Sequence, residues 1–191
     1  MRYRPEHKAK VRRRILRAAG RLFRRRGYHG VGIDRIMAAA RLTRGGFYGY
    51  FRSKSALFAA VLAEEHDFNR RLRERPGETP AELAASAVAV ADGYLDPANR
   101  ARVGPNCALA SLSIEVSRSD AAARRAYTEK VQRLVAEFAR GLPGAAADDD
   151  RALRSLALCA GGLIIARALA DDDFAGRLLA ACRAGVHDEL L

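Results

Sequence analysis

The stretch LTRGGFYGYFRSK, Leu42 to Lys54, packs three glycines and four aromatic residues into thirteen positions. Composition alone would make it a turn, but helical text flanks it on both sides. Upstream, Ile33, Ile36, Met37 and Ala40 fall at i, i+3, i+4 and i+7, the stripe of a short helix over 33–40. Downstream, Ser53 stands as N-cap before Leu57, Phe58, Val61 and Leu62, the buried face of a longer helix. Phe47 and Phe51, four apart, supply an inward side, so the stretch reads as a helix with Thr43 at its N-cap. At about 100° per residue, Gly45 and Gly49 then face outward, with Tyr48 and Tyr50 on the flanks. The glycines leave a bare ridge.

Residues 6–26 supply a third helix, with Val11, Ile15, Ala19, Leu22 and Phe23 on one side, arginine runs on the others and Gly27 as C-cap. Two short helices joined by a three-residue turn, with a longer helix in support, make a helix-turn-helix at 32–51, whose second helix enters the major groove. On that plan Arg44 reaches base edges and Gly45 and Gly49 permit close approach of the backbone. Tyr48, Tyr50 and Lys54 suit phosphate oxygens, and the helix start at Ser53 offers backbone N–H groups to another phosphate.

Charge agrees with that division. The net charge of the 191 residues is +12. Residues 1–75 carry +15 and residues 76–191 carry −3, a polyanion-binding head on a nearly neutral body. RPGETP, Arg75 to Pro80, marks the boundary. Beyond it, Ala/Leu-rich helices are expected over 80–95, 106–118, 120–141, 148–170 and 172–187, with Tyr94, Tyr127, Phe138 and Phe174 in the core. The expected fold is all-α: a DNA-binding domain at 1–75 and a second helical domain at 76–191. No apolar run of about 18 residues or signal core is present, so a cytoplasmic protein is expected.

The run Thr43-Arg44-Gly45-Gly46-Phe47-Tyr48-x-Tyr50-Phe51-x-x-Lys54, within helical text over residues 9–69, resembles the TetR family of bacterial transcriptional regulators. The resemblance implies a homodimer that binds a double-stranded DNA operator and a C-terminal pocket for a small-molecule effector. It makes Tyr48, Tyr50 and Lys54 phosphate contacts and puts Arg44, Gly45 and Gly46 next to the bases. It also implies a four-helix dimer interface through about 151–187, where Gly161-Gly162 and neighbouring alanines permit close helix approach. Three departures stand out. Arg41 replaces the turn glycine and predicts a positive φ, Gly32 replaces a Ser/Thr cap, and Gly49 replaces a large side chain.

Cys107, at the start of the middle helix, reads either as a small packed residue or as a thiol sensor of electrophiles and oxidants, since helix N-termini favour the thiolate. The acidic runs at 148–150 and 171–173 match no calcium-loop spacing and sit where carboxylates cap helices, so no metal is expected. No cofactor motif, nucleophile elbow or phosphate-binding glycine loop appears, which argues against an enzyme. A nonspecific DNA-coating protein driven by the basic head is the rival of another class.

Overall fold

The structure, a computed structural model, describes residues 5–101, 108–142, 144, 146 and 149–191. Among these every regular element is helical: α1 (Pro5–Arg26), α2 (Ile33–Ala39), a 3-10 segment (Arg44–Gly49), α3 (Lys54–Ala63), α4 (Asp67–Arg73), α5 (Pro80–Tyr94), a 3-10 turn (Pro97–Asn99), α6 (Ala108–Ser117), α7 (Ala121–Ala139), α8 (Asp150–Ala168) and α9 (Asp172–Leu190). The all-helical fold is as expected. The chain forms two compact units: Met1–Glu64 with Leu112–Thr128, and Glu65–Ser111 with Glu129–Leu191.

In the first unit α1 buries Val11, Ile15, Ala19 and Phe23, as its periodicity requires. It packs against α2 and α3, where Phe23 meets Phe58 edge to face at 5.3 Å. The helix stops at Gly27, whose φ of +70° suits only glycine without strain. Its N–H donates to the Phe23 carbonyl at 2.8 Å. α2 ends at the turn, where Arg41 has φ +54°, the one non-glycine residue with positive φ among those described. Arg14 supports this turn from α1, its Nη2 donating to the Ala40 carbonyl at 2.6 Å.

The stretch Arg44–Gly49 departs from expectation: it is a 3-10 helix, not an α-helix. Its bonds run from Gly46 N–H to the Thr43 carbonyl and from Tyr50 N–H to the Phe47 carbonyl, at 3.2 and 2.9 Å. Three glycines in six residues explain the tighter winding. Each costs about 1 kcal/mol against Ala in an α-helix, and so short a segment gains few bonds to offset that. Thr43 also differs. It holds the extended N-cap backbone, but its side chain makes no capping bond.

In the second unit the boundary sequence becomes the start of α5. Thr79 and Glu82 form a capping box there, with Pro80 in the first turn. The buried Arg75 donates to the carbonyls of Leu72, Leu83 and Glu137, so its charge is well partnered. Tyr94 and Phe138 are core residues as expected. Tyr127 is only half-buried, and Phe174 is 47% exposed. Phe174 lies in the first turn of α9, where Arg177 covers one face of the ring at 5.4 Å. Asp149 and Asp171 accept from the N–H groups of Arg151 and Phe174 as N-caps of α8 and α9.

α8 and α9 run antiparallel. Gly162 faces Cys182, and Gly185 faces Leu158. A Cβ at Gly162 would stand 2.7 Å from the Cys182 sulfur. Gly161, by contrast, meets nothing within 4 Å on its Cβ side. Cys159 and Cys182 are free thiols, both buried.

Candidate nucleic-acid interface

The 3-10 segment hangs on two aromatic anchors. Phe47 is fully buried and Phe51 is 5% exposed. Their rings lie 6.1 Å apart, and the Arg12 guanidinium of α1 sits over Phe51 at 5.0 Å. The opposite surface carries Thr43, Arg44, Gly45, Gly46, Tyr48 and Gly49, all exposed. A Cβ at Gly45 or Gly49 would meet nothing within 4 Å, and one at Gly46 only Met37 Cε at 3.8 Å. The 3-10 winding changes the angle per residue from about 100° to about 120°. Gly45 and Gly49 therefore no longer form one straight ridge, yet both remain bare.

Tyr48 is 63% exposed, and Tyr50 is half-buried at the segment's end. Ser53 caps α3, its hydroxyl accepting from Ala56 N–H at 3.0 Å. Lys54 does not extend freely into solvent. Its ammonium lies over the Tyr28 ring, 4.2 Å from the centroid. Burial pulls its pKa down, and the Glu115 carboxylate partly offsets this.

Several neighbours of this surface escaped the sequence reading. Asp34, in the first turn of α2, accepts from Arg44 Nη1 at 3.0 Å. Tyr28 carries the lysine. Asp120, at the start of α7, accepts a hydrogen bond from the Ser55 hydroxyl beside that lysine. That bond, then the Ala123 N–H, holds the Asp120 carboxyl below its ordinary range. These partners lie far apart in sequence, so only an acidic residue beside a helix start hinted at them. Cys107 lies outside the described residues. Burial pushes the thiols of Cys159 and Cys182 up, away from the reactive thiolate.

A short helical segment with a bare exposed surface, held by two buried rings and set in a basic head, defines a helix-turn-helix DNA-binding protein. The family profile described as "Bacterial regulatory proteins, tetR family" matches residues 15–61. The HTH-type transcriptional regulator YdgC of Bacillus subtilis is 40% identical over 63 residues, 33% of this chain and 32% of that protein. The HTH-type transcriptional repressor DhaR of a Mycobacterium species is 29% identical over 107 residues, 56% of this chain and 52% of that protein. These alignments span about a third to a half of the curated relatives. The structure of the reduced form of NemR from E. coli has the same fold, with a TM-score of 0.77 and 21% identity, covering 94% of this chain and 96% of that one. Over residues 15–61 the chain is of the TetR type of bacterial transcriptional regulator. No helix among the described residues is long and apolar enough to cross a membrane.

Proposed function

We propose that this protein is a dimeric, cytoplasmic transcriptional repressor that binds a pseudo-palindromic operator and is released by a small-molecule effector. The observation that carries the reading is the exposed surface of Arg44–Gly49, where bare glycines follow the exposed Arg44. Arg44 reads a guanine, and Gly45, Gly46 and Gly49 let the backbone approach the groove floor. Thr43, Tyr48, Tyr50, Ser53 and Lys54 hold phosphates. Lys54 has to leave the Tyr28 ring to do so, at a cost of about 0.5–1 kcal/mol at an exposed site. The DNA-binding domain is residues 1–75, and residues 76–191 bind effector and dimerise.

Dimerisation through about 151–187 is supported by the outer face of α8 and α9. There Ala157, Gly161, Ile165 and Leu178 line an apolar groove, and Ile165 is 52% exposed. Two subunits placed so would present two recognition segments to successive major grooves, about 34–36 Å apart. The effector acts by preferring the conformation in which those segments are misplaced, which lowers operator affinity without any chemistry on the ligand. The reading assigns no catalytic step.

The test is selection of duplexes from a random pool, followed by affinity measurements on the winner and on random DNA. The expected result is a pseudo-palindrome bound at least about 10³-fold more tightly than random duplex. With six or more phosphate contacts, affinity should fall about 10³-fold or more between 50 and 200 mM salt. Equal affinity for every duplex would replace this reading with nonspecific coating.

A further inference from the structure

Arg44 and Asp34 open the two helical segments of the helix-turn-helix, Asp34 in the first turn of α2 and Arg44 at the first position of the 3-10 segment. Their Nη1 and Oδ2 atoms are 3.0 Å apart, and both side chains are about two-thirds exposed. An exposed ion pair contributes little to folding, and a carboxylate beside the DNA-facing surface repels phosphates. A helix-dipole role for Asp34 needs a carboxylate near the α2 N-terminus but no contact with Arg44. The contact therefore calls for its own account.

We infer that Asp34 is a specificity-positioning residue: it holds the Arg44 guanidinium by one edge and presents the other edge to a guanine. The inference rests on the operator-binding reading above. A guanidinium has five N–H donors in a planar fork. One Nη1 contact to Asp34 leaves Nη2 and Nε free, and two parallel donors on one edge match guanine O6 and N7. An arginine tethered this way has less rotamer freedom to lose on binding. With part of its charge balanced it is also a poorer ligand for phosphate, so the alternative use of Arg44 as a nonspecific contact is suppressed.

The spacing of the pair is set by rigid parts. Ile36 and Met37 of α2 are buried, as is Phe47 of the segment. Between them the turn is fixed by Arg14 on the Ala40 carbonyl and by Leu42 N–H on the Met37 carbonyl at 2.9 Å. Gly45 beside Arg44 has no side chain to block the approach of a base pair. Asp34 thus acts through Arg44 and touches no base itself.

The experiment uses the full chain and the operator selected by the wild-type protein, with each base pair of a half-site replaced in turn. Binding to these duplexes and to random DNA is measured for Asp34→Ala, Asp34→Asn, Arg44→Ala and the Asp34→Ala/Arg44→Ala double variant. Circular dichroism confirms that each variant is folded. At the guanine that Arg44→Ala identifies, Asp34→Ala should cut the preference for G·C by about 5–20-fold, mainly by weakening the operator. Random-duplex affinity should stay level or rise, because one negative charge is gone. The double variant should discriminate no worse than Arg44→Ala alone. Asp34→Asn, similar in size but uncharged, should resemble Asp34→Ala.

Undiminished guanine preference in both Asp34 variants would overturn the inference. So would an Asp34→Ala loss of equal size in the Arg44→Ala background, which would show an effect independent of the arginine. If Arg44→Ala leaves every base preference intact, there is nothing for Asp34 to position and the inference falls as well. Failure of the wild-type protein to select any sequence is a different result, and it defeats the operator-binding reading itself.

Discussion

Gly49 meets no heavy atom within 4 Å of the place where a Cβ would stand, and its backbone lies on the exposed side of the segment that Phe47 and Phe51 anchor. A side chain there has room in the free protein, so any cost of adding one must arise on DNA. Gly49→Leu is expected to unfold at the wild-type temperature within error and to bind the selected operator at least about 10-fold more weakly, since bulk on that face prevents close approach. Unchanged operator affinity in a titration would remove the close-approach argument. Much at this scale was legible in the sequence. The bareness of Gly45 and Gly49 followed from their positions opposite Phe47 and Phe51, and the positive φ of Arg41 from the turn glycine that the resemblance expects there. Phe174 departs from the expected core because it stands on the outer side of α9 while its neighbour Ala175 faces in, so ring size does not decide burial there. Asp34 was missed because its partner lies ten residues away across a turn, beyond the reach of any helical periodicity.

Among the elements, the 3-10 form of Arg44–Gly49 was not legible, since i, i+4 spacing of two aromatics fits either winding over so few residues. Helix ends marked by chemistry were easier. Ser53 caps where its hydroxyl and the following apolar stripe predict. The paired glycines of α8 have different roles. Gly162 accommodates Cys182 of α9, whereas Gly161 looks outward into the apolar groove. Gly162→Ala drives a methyl group to 2.7 Å from a buried sulfur, an overpacking that costs about 1–3 kcal/mol. Gly161→Ala, whose methyl group meets nothing, should leave the isolated subunit as stable or up to about 1 kcal/mol more so. Adding Cys182→Ala to Gly162→Ala should recover part of the loss, because the remaining Cβ at 3.2 Å is still tight. Urea unfolding of the two single variants and the double variant checks both the asymmetry and the rescue. Equal destabilisation at 161 and 162 would contradict this packing.

For the whole molecule, the charge split anticipates a basic head, but no local pattern marks Leu112–Thr128 as belonging with it. That segment brings Glu115 beside Lys54 and Asp120 onto Ser55, contacts that span more than sixty residues and leave no local pattern. α6 and α7 each begin in one compact unit and end in the other. On the proposed reading operator affinity depends on two heads binding together, which makes the apolar face of α8 and α9 decisive. Ile165 is its most exposed large side chain, and a carboxylate at that position would have to be buried unpaired in a dimer, at a cost of several kcal/mol. Ile165→Glu is therefore expected to sediment as a folded monomer at micromolar concentration. Its affinity for the full operator should fall more than about 100-fold, while binding to a single half-site stays at the wild-type level. Full-operator and half-site affinities measured side by side separate a lost partner from a damaged head. A variant that stays dimeric with full operator affinity would show that the two subunits meet through some other face.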